Sequence, residues 1–274
     1  MRILFIGDIV GKPGREMVRR AVPRLVEHYG IDLTVANVEN AAGGFGVTRE
    51  TAEALLAAGV QVMTSGNHIW DKKETLEYIA HEPRLLRPLN YSSAAPGRGS
   101  LVVTTPQGHR VGVINAMGRV YMPLVDDPFK ALPIEVERIR QEAPVVIVDF
   151  HAEVTSEKAA MGWHLDGRVS AVVGTHTHVQ TADERILPGG TAYITDVGMT
   201  GPHDSVIGVE TAAALGRFLN GLPVRFETAS GLPKLHAVVI EADSSSGRAL
   251  RIERLSLTPE AIAQLDPPAS PASS

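Results

Sequence analysis

Five short apolar runs in this sequence end in residues that could do chemistry. Asp8 follows RILFIG, Glu39 and Asn40 follow LTVANV, and Asn67 and His68 follow VQVMTSG. His151 follows VVIVDF, and His176 and His178 follow VSAVVGT. The chain has no cysteine, so disulfides, thiolate nucleophiles and thiolate metal sites are excluded. Any metal is therefore held by oxygen and imidazole. Residues two apart in an extended segment share a face, so His176 and His178 are expected to address one site from one side. Side-by-side imidazoles pack poorly but coordinate metals well.

Taken singly, each position has an ordinary explanation. Asp8 suits a helix N-cap, and Asn40 and Asn67 suit glycine-rich turns. Glu39 suits a solvated loop, and His151 a hydrogen-bonded, half-buried imidazole. Independent turn residues are not expected to supply carboxylates, amides and imidazoles at five strand ends at once. The set reads as a metal site.

The elements that must position these residues alternate. Strands are expected over 2–6, 33–36 and 60–64, and helices over 14–29, 49–58 and 73–80. Three strand–helix units in succession imply a parallel sheet with both faces covered. Further on, 101–105 and 110–115 read as antiparallel strands around the turn PQGH. Helices follow over 133–142, 157–165 and near 211–219, with strands over 145–149, 169–173 and 192–195. The stretches 235–241 and 250–256 alternate like a hairpin turned by SSSG. The expected class is α/β, a four-layer α/β/β/α sandwich of two facing mixed sheets flanked by helices. One domain is expected over 1–265, with a disordered tail over 266–274. In open α/β sheets ligands bind at the carboxyl ends of the parallel strands, which is where the polar residues fall.

Composition narrows the partners. The 274-residue chain carries a formal charge of −5 and is 5% aromatic. No basic field exists to hold a long nucleic acid, and few rings are present to stack on bases. No run approaches the ~20 apolar residues of a membrane span. Asp8 interrupts the apolar start, which reads as a strand and not as a signal peptide. A reducing cytoplasm fits the absence of cysteine.

The motifs, met in this order, resemble the calcineurin-like metallophosphoesterases, and within them the YmdB-like phosphodiesterases. The resemblance rests on GDIVGKPGR, NVENAAGGFG, TSGNHIWD, INAMGRV, DFHAE, GTHTHVQTADERILPGGTAYITDVGMTGP and DSVIG, and runs from the first strand to about Gly208. Two departures from the broad superfamily stand out. The usual Asp-x-His opening is Asp8-Ile9-Val10, and the usual Gly-Asp-x-x-Asp is replaced by NVEN with Glu39 and Asn40. Both fit the YmdB-like branch.

The resemblance implies two divalent ions, with iron or manganese favoured and zinc allowed. Asp8, Glu39, Asn40 and His178 would hold one; Glu39, Asn67, His151 and His176 would hold the other, with Glu39 bridging. It further implies hydrolysis of 2′,3′- or 3′,5′-cyclic nucleotides by a hydroxide shared between the ions. His68 would face the substrate as general acid, and Asp71 is a candidate to hold its charge. A phosphomonoesterase and a non-catalytic nucleotide-binding regulator are the alternatives. Arg119 and Lys12 are candidates to meet phosphate, with surface roles equally expected; Trp70 and Phe45 are candidates to stack on a base, with a core or lid-packing role expected first for each; His203 is a candidate to roof the site. The partner is a small molecule, and self-association of the chain is expected.

Overall fold

In the computed structural model, which describes residues 1–265, the elements follow one another as β1 (Arg2–Ile6), β2 (Asp8–Ile9), α1 (Gly11–Tyr29), β3 (Leu33–Asn37), α2 (Arg49–Ala57), β4 (Val62–Thr64) and α3 (Thr75–His81). A single 3-10 turn over Asn67–Trp70 separates β4 from α3. The middle of the chain forms β5 (Ser100–Thr104), β6 (Arg110–Met117), α4 (Pro128–Arg140), β7 (Val145–His151), α5 (Thr155–His164), β8 (Ala171–Thr175), β9 (Arg185–Ile186) and β10 (Ala192–Ile194). It closes with β11 (Met199–Asp204), α6 (Thr211–Asn220), β12 (Gly231–Ala242), β13 (Ala249–Leu257) and α7 (Pro259–Ala263). The tail expected over 266–274 lies outside the described residues.

Two sheets result. The first has seven strands in the order β2, β11, β12, β1, β3, β4, with β13 pairing β12. The second has six, in the order β5, β6, β7, β8, β10, β9. In the first, β1, β3 and β4 run parallel, while β12 pairs β1 antiparallel. In the second, β6, β7, β8 and β10 run parallel, and β5 and β9 are antiparallel edges.

The period-2 alternation of strand side chains explains the four layers. Ile3 and Phe5 of β1 face Val145 and Ile147 of β7 in a core between the sheets. Leu4 and Ile6 point the other way and pack on α1 through Met17, Val18 and Leu25. Val146, Val148 and Phe150 of β7 turn outward onto α4 and α5 through Leu132, Val136 and Met161. This is the expected sandwich of two facing mixed sheets flanked by helices.

The differences from expectation have local causes. Helix α4 starts at Pro128, upstream of the expected Pro133, because Asp127 caps it by accepting from Phe129 N and Pro128 takes the first-turn position where no N–H is needed. Strand β11 has the sequence MTGPHD, and its glycine and proline hide it from a propensity reading.

Candidate metal centre

The carboxyl ends of β1, β3 and β4 meet those of β7 and β8 at one edge of the sandwich. Asp8, Glu39, Asn40 and His151 are buried there. His151 Nε2 lies 3.1 Å from Glu39 Oε1, 3.1 Å from Asn67 Oδ1 and 3.0 Å from His176 Nδ1. The Asn40 amide lies 3.2 Å from His178 Nε2 and 3.4 Å from Glu39 Oε1. Asp8 Oδ2 accepts from His176 N at 3.1 Å. Its Oδ1 is buried with no hydrogen-bond partner, 3.9 Å from His178 Nε2 and 4.0 Å from His151 Nδ1. The seven side chains expected to hold metal thus converge on one cluster. Gly66 is required beside it, since a Cβ there would sit 2.2 Å from His151 Nε2 and 2.5 Å from Glu39 Oε2.

Hydrogen bonds behind the imidazoles fix which nitrogen faces inward. Thr175 Oγ1 donates to Asp149 Oδ1 at 2.7 Å. Its proton is then committed, so at 2.9 Å it accepts from His151 Nδ1–H. The Nε2 lone pair of His151 is left for the cluster. His178 Nδ1 donates to the Ile207 carbonyl at 2.8 Å, which aims its Nε2 at Asn40 and Asp8. Glu153 lies 3.1 Å from His176 Nε2 and leaves Nδ1 facing His151.

Lone pairs on facing imidazoles, two buried carboxylates and an orphaned carboxylate oxygen call for cations. A proton is the simplest, and the surroundings give it to His151. Burial opposes that charge, but Glu39, with Asp8 and Asp149, outweighs it and raises His151 to about 9. Burial would likewise raise Glu39, but the charge and hydrogen bond of His151, with help from His68, hold it down to about 2. His176 is pushed down to about 3 by burial and by the neighbouring His151. A divalent ion satisfies the same set better. Ligand atoms of Glu39, His151 and His176 all lie within 4.8 Å of one another, and oxygen and imidazole donors suit iron, manganese or zinc.

The two histidines of the THTH segment converge by a route other than the expected one. Strand β8 ends at Thr175, and neither His176 nor His178 is extended. Their φ angles are 101° and 66°, in the left-handed region that non-glycine residues rarely adopt. Thr177 between them is held by Asp196, whose Oδ2 accepts from Thr177 N at 3.0 Å and from its Oγ1 at 2.7 Å. Asp196 in turn pairs with the buried Lys158 at 2.6 Å. His68 lies outside the strand as well. It sits in the 3-10 turn, where side chains three apart eclipse, and its Nδ1 meets Asp71 Oδ2 at 2.7 Å. Asp71 does not cap α3, whose N-cap is Glu74, and Asp8 does not cap α1, whose N-cap is Val10.

A cleft of about 280 Å³ opens onto the cluster, lined by His68, Glu153, Phe45, Phe226, Glu227 and Thr228 together with Glu39, Asn40, His176 and His178. Of the five candidates to meet phosphate, stack on a base or roof the site, only Phe45 is among its lining. Lys12 pairs with Glu16 and Arg119 with Asp127, both away from the cleft. Trp70 packs edge-on against Tyr91 at 5.7 Å, on the helix side of the first sheet. His203 packs edge-on against His236, ring centroids 4.6 Å apart, and does not line the cleft.

The YmdB-like protein family matches residues 4–255. The chain belongs to the YmdB-like family. A curated relative, the 2′,3′-cyclic-nucleotide 2′-phosphodiesterase of Bacillus subtilis (strain 168), is 50% identical over 93% of this chain and 96% of its own length. Among solved structures, a hypothetical protein from Thermus thermophilus superposes with a TM-score of 0.88 at 43% identity, covering 94% of this chain and 99% of that one. A phosphatase from Mycoplasma pneumoniae also superposes at 0.88, with 36% identity and 96% of each chain covered.

Several residues of this YmdB-like centre escape a reading of the sequence. Asn37 and Asp149 are readable as polar breaks in buried strands. Thr175, Lys158 and Asp196 carry no local signal, because their roles depend on contacts across the fold. Ile207 matters through its carbonyl, which any residue type supplies.

The supports behind the ligands can be tested apart from the ligands themselves. Thr175→Val removes the acceptor for His151 Nδ1 and should weaken metal affinity about 10–100-fold by titration calorimetry, while Thr175→Ser retains it; equal affinities for the Val and Ser variants would count against the tautomer role. Lys158→Met leaves Asp196 as an uncompensated buried charge and should cost about 3–5 kcal/mol in urea unfolding.

Proposed function

We propose that this chain is a metal-dependent phosphodiesterase that hydrolyses cyclic nucleotides, with the 2′,3′-cyclic form as first candidate and the 3′,5′ form as second. The observation that carries the reading is the pairing of a buried cation-demanding cluster with a hydrogen-bonded His68–Asp71 dyad on the wall of the same cleft. The 2′,3′ preference rests on what the Bacillus subtilis relative is named for.

Asp8, Glu39, Asn40 and His178 would hold one ion, and Glu39, Asn67, His151 and His176 the other. Such ions supply a strongly acidified water and neutralise charge that builds on the phosphate oxygens. The chain itself supplies the proton for the leaving group. Asp71 takes His68 Nδ1–H, so Nε2 is the nitrogen that can donate into the cleft. One P–O ester bond of the ring breaks, one forms to the oxygen of water, and the departing ribose oxygen receives the His68 proton. Phe45 stands against the same imidazole, ring centroids 5.0 Å apart, and shields it from bulk water.

Charge favours a diester over a monoester. Among the described residues the cleft lining includes Glu39, Glu153 and Glu227 but no lysine or arginine. A phosphomonoester dianion would have to rely on the metals alone, whereas a diester carries one negative charge. The dyad argues against a purely binding role, which needs no proton donor.

The leaving group tests the dyad. His68→Ala should retain metal by elemental analysis yet lose about 10²–10⁴-fold in kcat on a 2′,3′-cyclic nucleotide, and much less on bis-nitrophenyl phosphate, whose leaving group departs without a proton. Equal losses on both would rule out the general-acid role. On the wild type, bis-nitrophenyl phosphate should be cleaved faster than the mono-nitrophenyl ester; the reverse order would favour the monoesterase.

A further inference from the structure

Two aromatic rings line the cleft, brought there by two separate segments. Phe45 comes from the glycine-rich loop between β3 and α2, and Phe226 from the irregular stretch between α6 and β12. Both rings are only half-buried, although they line a cavity that leads to the catalytic edge. Phe45 is fixed against His68, at a 63° interplanar angle. Phe226 carries Arg217 over its ring, the guanidinium carbon 5.3 Å from the centroid. A cation over one face of an aromatic ring holds it in place while leaving the rest of the ring to a ligand.

A second observation ties the two segments of this wall together. Thr228, two residues after Phe226, also lines the cleft, and its Oγ1 is buried without a hydrogen-bond partner. Gly44 crowds against it: a Cβ there would lie 2.7 Å from Thr228 Oγ1, and the φ of Gly44 is +97°. The loop that carries Phe45 therefore needs glycine to bring its backbone against the segment that carries Phe226.

We infer that Phe45 and Phe226 form the subsite for the nucleobase, which stacks on their rings while its cyclic phosphate reaches the metal cluster. The inference rests on the cyclic-nucleotide reading above and extends it. The cleft, about 280 Å³, has the dimensions of one nucleoside and not of an oligonucleotide. Glu153 and Glu227 repel a second phosphate and offer acceptors to the N–H groups of a base edge. Stacking is tolerant of base identity, because every base has a π-face, so the subsite selects for the presence of a base more than for its type.

The test compares 2′,3′-cyclic AMP with methyl ribofuranoside 2′,3′-cyclic phosphate, which presents the same ring phosphate without a base. In Phe226→Ala the ratio of kcat/KM for the nucleotide over the base-free compound should fall about tenfold or more, chiefly through KM. Phe226→Trp should keep the ratio near that of the wild type. An unchanged ratio in Phe226→Ala, or a loss shared equally by both compounds, overturns the subsite. A wild-type enzyme that cleaves the base-free compound but no cyclic nucleotide overturns the cyclic-nucleotide reading itself, and this is seen before any variant is made.

Discussion

Two carboxylates buried to zero exposure govern this molecule. Asp8 and Glu39 lie in the interior at the edge of a β-sandwich, and an ionised carboxylate removed from water is tolerated only beside positive charge or strong donors. Asp8 has one oxygen with no partner at all, and burial pushes its pKa above the usual carboxylate value. Imidazoles gather around both groups from strands far apart in sequence. The demand for a cation is thus built into the fold, and the same arrangement that would be destabilising in an inert protein makes a binding site here.

Holding that arrangement takes strained backbone. His176, His178 and Ile207 all have left-handed φ angles, the last at 47°, and each such residue costs on the order of 1–3 kcal/mol. The strain is offset by specific bonds. Asp8 accepts from His176 N, Asp196 grips Thr177, and the Ile207 carbonyl takes the His178 proton. The buried Lys158 stands behind Asp196. A buried ion pair of this kind contributes little to net stability; its value here is positional, since Thr177 lies between two residues expected to hold metal.

How much of this could be read from the sequence follows from which forces are local. Short continuous apolar runs, buried on both faces, such as RILFI and VVIVDFH, announce strands, and the residue after each run is readable as belonging to one sheet edge. That is why all seven cluster residues and His68 are legible in the sequence alone. The geometry of THTH is not. Alternation along a strand suggests the convergence of His176 and His178 for the wrong reason, because a left-handed turn set by Asp196, far along the chain from His176, is invisible to local pattern. Trp70 is the simpler case: the packing role expected first for it is the one it has, because burial draws the ring to Tyr91 and the core.

The polar pin between the sheets links folding to function. Asp149 lies on β7 in the second sheet, yet Asn37 of β3 and Thr64 of β4 in the first donate to its Oδ2, at 3.1 and 2.5 Å. Its Oδ1 takes the Thr175 hydroxyl that orients His151. Burial lifts Asp149 to about 6, above an ordinary carboxylate, so it is an acceptor at neutral pH and can serve all three donors. The sheets could pack through apolar contacts alone, but apolar contacts do not fix register. The two directional bonds that cross from Asn37 and Thr64 to this buried carboxylate do, because any slip leaves a buried charge without those donors. The contact that sets the two sheets against each other is therefore the one that turns His151 toward Glu39, and the site is assembled only when the sandwich is closed in its correct register.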